Sequence, residues 1–166
     1  MKLLDAVSAR TALGLVAAFA AAAMAVALYL QHVVGLTPCP LCVMQRMALV
    51  LAGLIALAGW LLARGRTAQR GFLAGTALAT LAGAGVAGWH VWILANPPES
   101  MSCGRPFQWF HDEFPLGTWL PRLFRGDGDC LSESSTLLGL GIPHWSLVGF
   151  AVVLALLALG WRARVR

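Results

Sequence analysis

Long apolar runs alternate with short polar segments along the whole chain. Four of these runs carry no formal charge or only one, and they cover residues 11–30, 41–62, 72–94 and 145–161. Each run has about 17–23 residues, enough for an α-helix to cross a hydrocarbon core of about 30 Å. The pattern predicts an all-α membrane protein in which residues 1–166 form a single bundle of four transmembrane helices.

The first run has a second interpretation, as a cleaved signal peptide. Lys2 and Arg10 precede it, and the alanines at 20–23 offer small residues for cleavage. Its apolar stretch is longer than the roughly 7–15 residues of a signal peptide. A retained helix is therefore favoured, and sequencing the mature N-terminus decides between the two.

The composition excludes several classes of protein. Hydrophobic residues make up 59% of the chain and charged residues 11%, whereas a soluble domain carries about 25% charged residues. An ordinary soluble enzyme, a secreted disulfide miniprotein and a disordered chain are therefore excluded. The net charge of +5 does not indicate nucleic-acid binding, because the basic residues lie in short clusters between the apolar runs rather than in one patch.

The positions of the basic clusters predict the orientation in the membrane. Both tails and the connection after the second run are basic, with Asp5 as their one acid: Lys2, Arg10, Arg64, Arg66, Arg70, Arg162, Arg164 and Arg166. Segment 31–40 has no formal charge, and segment 95–144 has more acids than bases. The positive-inside rule then places both termini inside and both of these segments outside.

Two features of the apolar pattern concern packing. The third run is rich in glycine, which permits close approach of helices in a membrane, so we expect this helix to pack centrally; the glycines are Gly71, Gly75, Gly83, Gly85 and Gly88. In the long outer loop, large apolar residues interleave with charges between 107 and 124. This alternation of apolar and charged residues favours a short amphipathic helix on the membrane surface over a loop that folds around a small core of its own.

The motif Cys39-Pro40-Leu41-Cys42 opens the second run. Proline is tolerated in a first helical turn but not in a helix interior, so the helix begins here, with Cys39 near its N-cap. The partial positive charge and unpaired N–H groups of a helix N-terminus favour a thiolate over a thiol. The motif therefore indicates a redox pair that closes and reopens a disulfide.

A static disulfide and half of a zinc site are the alternatives for this pair. Zinc requires further ligands at close spacing, whereas Cys103 and Cys130 are far apart in the sequence, and adding His32 assembles only distant pieces. We therefore expect no metal.

Arg46 follows Cys42 by one helical turn and lies on the same face. A guanidinium inside a membrane helix costs a few kcal/mol on insertion scales, about 2.5–3.5. A Cys42 thiolate or the carbonyl oxygen of a bound ligand would offset this cost, and the alternative is an arginine that extends outward to lipid headgroups. Gln45 beside it is equally consistent with a polar contact between helices.

Other polar residues near the outer ends of the runs are ambiguous. His90 could reach the depth of Cys42, although a lone histidine is more often a packed or interfacial residue. Gln31 and His32 end the first run and are equally ambiguous.

In the outer loop, an oxidising compartment favours a disulfide between Cys103 and Cys130. A purely structural disulfide is the ordinary interpretation of such a pair. The alternative follows from the first pair, because two disulfides on one face allow exchange between them, and a flexible pair flanked by glycine is exposed to an outside partner.

At this point the residues resemble a known family. Gln31-His32-Val33, then Pro38 to Cys42 and Arg46, are similar to DsbB, the bacterial inner-membrane disulfide-bond formation proteins. The similarity continues through Trp119-Leu120-Pro121, Gly128-Asp129-Cys130, Leu138-Gly139-Leu140 and Pro143, so it covers the whole chain in order.

The resemblance implies a thiol:quinone oxidoreductase of the bacterial inner membrane, with its cysteines facing the periplasm. A periplasmic thiol oxidase of the DsbA kind would be oxidised by a Cys103–Cys130 disulfide, with Cys103 as the sulfur attacked. Electrons would pass to Cys39–Cys42 and from Cys42 to membrane quinone, either ubiquinone or menaquinone. The resemblance assigns Arg46 and His90 to the quinone site, and Gln31 belongs to the same motif.

Energetics agree with a quinone acceptor, because a DsbA-like disulfide is strongly oxidising, near about −120 mV, and most dithiols cannot regenerate it. Two other classes remain open. One is a quinone-linked reductase of the vitamin K epoxide reductase type, in which the C-x-x-C tends to come later in the chain. The other is a non-catalytic membrane protein with two structural disulfides.

Overall fold

The computed structural model describes residues 8–97, 128, 130, 136–137 and 139–163. Four long helices dominate this part of the chain: α1 Ala9–His32, α2 Pro40–Leu62, α3 Arg66–Ala95 and α4 Ile142–Arg162. All four are long and apolar enough to cross a membrane. They coincide with the four apolar runs and confirm the predicted helical bundle.

The helices extend beyond the apolar runs where polar residues continue the helical backbone. The largest extension is in α3, which begins at Arg66 rather than at residue 72. At the start of α1, the hydroxyl oxygen of Ser8 accepts a hydrogen bond of 3.1 Å from the backbone N–H of Thr11, which satisfies one of the unpaired donors of the first turn. The uncharged runs therefore underestimate the length of the helices, because a helix can continue through polar residues beyond its apolar part.

The four helices pack as a ring in which each contacts its neighbours in the chain and α4 closes against α1. The connections α1–α2 and α2–α3 are short, so these neighbours run antiparallel. The core of one half of the bundle is an apolar cluster drawn from all four helices: Ala9, Leu13, Val16, Ala56, Leu73, Val153 and Leu157. Leucine and valine side chains on the outer faces are largely exposed, among them Val26, Leu54 and Leu78, as helices surrounded by lipid require.

The glycines of α3 contribute to packing at one principal point. A Cβ at Gly83 would lie 2.4 Å from the ring of Phe150 on α4 and 2.9 Å from the Cβ of Ala48 on α2. Gly71, Gly85 and Gly88 have nothing within 4 Å of such an atom. The predicted close approach therefore occurs at Gly83, between α2 and α4, and α3 contacts each of the other three helices.

Aromatic residues mark both ends of the bundle, and basic residues accompany them at one end. At one end, Arg10 donates a 3.0 Å hydrogen bond to the carbonyl oxygen of Trp60, and the Arg70 guanidinium lies 5.7 Å from the ring centroid of Trp161. At the other end, the rings of Trp89 and Trp92 stack with their centroids 5.0 Å apart. Tryptophan is enriched at membrane–water interfaces, so these groups fit two interfacial belts.

A small antiparallel hairpin precedes α4, with β1 Thr136–Leu137 paired to β2 Leu140–Gly141. Gly139 at its turn has a φ of +79°, a conformation that glycine adopts without strain. Two-residue strands are too short for an alternating pattern, so the sequence did not predict them. The predicted amphipathic segment at 107–124 lies outside the described residues, and the orientation and the boundaries of the single domain stay predictions.

Candidate redox site at the start of the second helix

Cys39 is the N-cap of α2, and Pro40 occupies its first helical position. The Cys39 backbone is extended, with φ −81° and ψ 165°, and its sulfur accepts a hydrogen bond of 3.3 Å from the backbone N–H of Cys42. The predicted start of this helix is therefore confirmed. The cysteine sulfur itself serves the capping role that serine or aspartate usually fills.

The sulfur atoms of Cys39 and Cys42 are 3.0 Å apart. A disulfide bond is about 2.05 Å long, so a small rotation of the side chains is enough for the two sulfurs to form one. Cys39 is 4% exposed, whereas Cys42 is half-buried. Cys42 is consequently the more accessible sulfur of the pair.

Cys130 comes from the long connection between α3 and α4 and lies beside Cys39. Its segment is fixed by a 3.0 Å hydrogen bond from the Gly128 N–H to the carbonyl oxygen of Pro38. A Cβ at Gly128 would lie 2.4 Å from the carbonyl oxygen of Thr37, so a glycine is needed for this approach. The sulfur of Cys130 lies within 4.8 Å of the Cys39 sulfur.

The expectation of a flexible, exposed Cys130 is wrong. The residue is 3% exposed and belongs to an apolar cluster with Cys39, Leu41 and Ile93. The glycine before it provides close backbone contact rather than mobility. Cys103 lies outside the described residues, so its pairing with Cys130 stays a prediction.

His90 on α3 is buried between the cysteines and Gln45. Its Nε2 atom lies 3.2 Å from the carbonyl oxygen of Cys130 and 4.0 Å from the sulfur of Cys39. Its Nδ1 atom lies 3.4 Å from the side-chain nitrogen of Gln45. A carbonyl oxygen only accepts, so this arrangement assigns the proton to Nε2 and lets the Gln45 amide donate to Nδ1.

Arg46 forms hydrogen bonds across to α1. One guanidinium nitrogen donates to the side-chain oxygen of Gln31, and another donates to the carbonyl oxygen of Ala27 at 3.3 Å. The described partners are thus two groups of α1, in place of the Cys42 thiolate, the carbonyl oxygen of a bound ligand or the lipid headgroups that the sequence suggested. Cys42 and Arg46 are both half-buried and lie one turn apart on the same face of α2.

Two residues of the site were not identified from the sequence. Gln45 is 4% exposed and contacts His90, whereas the sequence offered only a generic contact between helices. Gly128 was noted only as part of a glycine-rich stretch. No pattern signals either contact, because both join segments that are distant along the chain.

Three potential metal ligands meet at this site. The ligand atoms of Cys39, His90 and Cys130 all lie within 4.8 Å of one another, and all three residues are buried. Residues that are far apart in the sequence are therefore close together in the fold, which removes the argument from sequence separation against a metal site. The third ligand is His90, which the sequence placed at the depth of Cys42 but did not connect with a metal.

Comparison with known proteins places this arrangement in a family. The model of the family "Disulfide bond formation protein DsbB" matches residues 9–160. A disulfide bond formation protein B from Verminephrobacter eiseniae is 45% identical over 92% of this chain and 88% of its own length. Those from Chromohalobacter salexigens and Herminiimonas arsenicoxydans are 44% and 47% identical, over 86% and 78% of this chain and 83% and 80% of their own lengths. The chain belongs to the disulfide bond formation protein B family.

Proposed function

We propose that this chain is a thiol:quinone oxidoreductase that oxidises a periplasmic DsbA-like protein and transfers the electrons to membrane quinone. The observation that carries the proposal is the position of the Cys39 sulfur. It lies 3.0 Å from the Cys42 sulfur and within 4.8 Å of the Cys130 sulfur. Cys39 can therefore form a disulfide with either partner after small side-chain movements, which joins the two cysteine pairs.

The exchange begins at the proposed Cys103–Cys130 disulfide. A thiolate of the partner attacks Cys103, forms a mixed disulfide and releases Cys130 as a thiolate. Cys130 then attacks Cys39 of the Cys39–Cys42 disulfide, and the S–S bond to Cys42 breaks, which leaves Cys42 with the electron pair. The second thiol of the partner resolves the mixed disulfide, and the partner leaves oxidised by two electrons.

A second exchange, which breaks the Cys39–Cys130 disulfide again, completes the transfer between the two cysteine pairs. Cys103, now a thiolate, attacks Cys130 in the Cys39–Cys130 disulfide, which restores the Cys103–Cys130 bond and releases Cys39. The two electrons then reside on Cys39 and Cys42. His90 Nε2–H, 4.0 Å from Cys39, can donate a hydrogen bond to the Cys39 thiolate whenever that sulfur leaves.

Arg46, Gln31 and Cys42 fit a quinone site. The guanidinium has five N–H donors, and its bonds to Gln31 and Ala27 fix its orientation without using all of them. It would hold a quinone carbonyl oxygen beside Cys42, the accessible sulfur of the pair. When bound, a quinone supplies an acceptor for two electrons and two protons.

The proposal is tested by quinone reduction with the full-length protein in detergent and a reduced DsbA-like protein as donor. Wild type is compared with Cys42→Ser and Cys103→Ser, and His32→Ala serves as a control at the exposed end of α1. We expect turnover in wild type and in the control, and none in either cysteine variant.

A second readout separates the two cysteine pairs. The Cys42→Ser variant should oxidise a single equivalent of the partner through Cys103–Cys130 and then stop, which thiol alkylation and mass spectrometry detect, because it has no Cys39–Cys42 disulfide to accept the electrons. Quinone that stays oxidised with a competent partner, or a Cys42→Ser variant that still turns over, contradicts the proposed electron path.

The orientation proposed is that of an inner-membrane protein with both termini cytoplasmic and both cysteine-bearing connections periplasmic. The distribution of basic residues supports it. Alkaline phosphatase fused after residue 97 should be active, because the enzyme requires the periplasm to fold, whereas a fusion after Gly65 should be inactive. The opposite pattern contradicts this orientation.

A further inference from the structure

We propose that the reduced site binds a zinc ion through Cys39, His90 and Cys130, as a reversible block on the redox pair. The three ligand atoms lie within 4.8 Å of one another, and two thiolates with an imidazole are a donor set that zinc prefers. All three side chains are buried, at 4%, 2% and 3% exposure for Cys39, His90 and Cys130. This ion is neither a cofactor of the proposed reaction nor required by it.

The distances are close to those of a zinc site. With Zn–S of about 2.3 Å and Zn–N of about 2.0–2.1 Å, tetrahedral geometry separates two sulfurs by about 3.8 Å and a sulfur from a nitrogen by about 3.5 Å. The Cys39 sulfur is 4.0 Å from His90 Nε2. Contractions of less than about 1 Å, by rotation of side chains, would therefore complete the site. The Cys42 sulfur, 3.0 Å from that of Cys39, is positioned to supply the fourth ligand.

Gln45 provides the second, independent feature of a metal-binding histidine. A histidine that ligates a metal through one ring nitrogen nearly always donates a hydrogen bond from the other. Gln45 lies 3.4 Å from His90 Nδ1, and a rotated amide presents its oxygen to an Nδ1–H. His90 can thus move its proton from Nε2 to Nδ1, release the Cys130 carbonyl and bind zinc through Nε2.

Binding releases protons and changes no oxidation state. Cys39 and Cys130 each lose a thiol proton as they become ligands, as does Cys42 in the fourth position, and His90 binds in its neutral form, so three protons are released per zinc ion. Thiolates held by zinc cannot attack a disulfide. The ion therefore keeps the site reduced until a chelator removes it, and oxidation of the cysteines excludes the ion.

The test is direct metal binding by the full-length, fully reduced protein in detergent, with no quinone and no partner present. Zn²⁺ affinity is measured by competition with a chromophoric chelator. Co²⁺ is used as a spectroscopic probe, because tetrahedral thiolate ligation gives intense d–d and charge-transfer bands. Variants are His90→Ala, Cys130→Ser and Gln45→Leu, with His32→Ala as the matched histidine control.

We expect one Zn²⁺ per chain and a tetrahedral Co²⁺ spectrum in wild type and His32→Ala. Loss of a ligand should weaken binding by at least about 100-fold, and loss of the Gln45 contact by about 10- to 100-fold, as for other outer-shell partners. Cys130 belongs to none of the four helices, so Cys130→Ser remains informative if His90→Ala fails to fold. The reaction itself is not assayed, so failure here is separate from failure of the proposed function.

Three results would overturn the proposal: no zinc binding, an octahedral Co²⁺ spectrum, or undiminished affinity in Cys130→Ser. The last would mean that the C-x-x-C pair chelates the ion by itself. Zinc binding that survives oxidation of the cysteines would equally contradict it.

Discussion

The Arg46 guanidinium on α2 donates a hydrogen bond to the side-chain oxygen of Gln31 in the last turn of α1. Together with the bond to the Ala27 carbonyl, this contact holds a charged group at a fixed position between two membrane helices. A hydrogen bond to a charged group is worth about 1.5–3 kcal/mol. The two helices thus jointly determine where the charge beside Cys42 lies.

Gln31→Ala should impair the use of quinone more than the oxidation of the partner. Without Gln31 the guanidinium loses one of its two bonds to α1 and its orientation is less restricted, so we expect KM for quinone to rise about tenfold or more, within the energy of one such bond. Steady-state kinetics at varied quinone concentration measure this. Gln31→Glu keeps the acceptor and should retain much of the affinity, and His32→Ala is the neighbouring control. An unchanged KM in Gln31→Ala removes Gln31 from the site.

Gly128→Ala should slow exchange between Cys130 and Cys39. The added methyl group would lie 2.4 Å from the Thr37 carbonyl oxygen, so the segment that carries Cys130 must move away. Overpacking of this kind costs about 1–3 kcal/mol, which corresponds to a decrease of about 5- to 150-fold in the exchange rate. Rapid-quench alkylation of the thiols measures the rate of Cys39–Cys130 disulfide formation. Gly88→Ala, where a Cβ meets nothing within 4 Å, controls for the substitution, and equal rates in the two variants contradict the prediction.

Gln45→Leu should lower turnover although Gln45 contacts no cysteine in the described contacts. The substitution leaves Nδ1 of the buried His90 without its donor, at a cost of about 1–3 kcal/mol, and allows the imidazole to turn away from Cys39 and Cys130. We expect the rate of partner oxidation to fall about tenfold, with KM for quinone little changed. Gln45→Glu places an acceptor beside Nδ1 in place of the amide donor. The His90 proton should then move from Nε2 to Nδ1, and the pH profile of thiol–disulfide exchange should change. A normal rate in Gln45→Leu would falsify the positioning role.

Gly83→Ala should destabilise the helical bundle, and this effect should be independent of the redox site. The new methyl group would overlap the Phe150 ring and approach Ala48, and overpacking costs about 1–3 kcal/mol. The thermal midpoint in detergent should fall, whereas Gly85→Ala, in open space on the same helix, should leave it unchanged or raise it. If the two variants melt together, the close packing of α3 between α2 and α4 is not a significant source of stability.

The sequence predicted the elements of this fold well, because each rests on a local property. Apolar length defined the four helices, and Pro38 and Pro40 defined the start of α2 and the capping position of Cys39. The hydrogen-bond partner of Arg46 was harder to predict, because the distance between Arg46 and Gln31 depends on how α1 and α2 pack. The contacts of His90 with Gln45 and Cys130 join residues far apart in the chain, and no periodicity encodes them. The strands of the hairpin, two residues each, are below the length at which alternation can be recognised.

The docking of the outer loop through the Gly128–Pro38 hydrogen bond has a consequence for the evolution of partner specificity. The described link between this loop and the helical bundle includes the backbone hydrogen bond of Gly128, the contact of the Cys130 carbonyl oxygen with His90, and the packing of Cys130 beside Cys39, Leu41 and Ile93. Changes elsewhere in the loop that keep Gly128 and Cys130 would therefore leave this described contact in place. Exchanging the segment between Asn96 and Gly128 among relatives should transfer partner preference without transferring quinone preference.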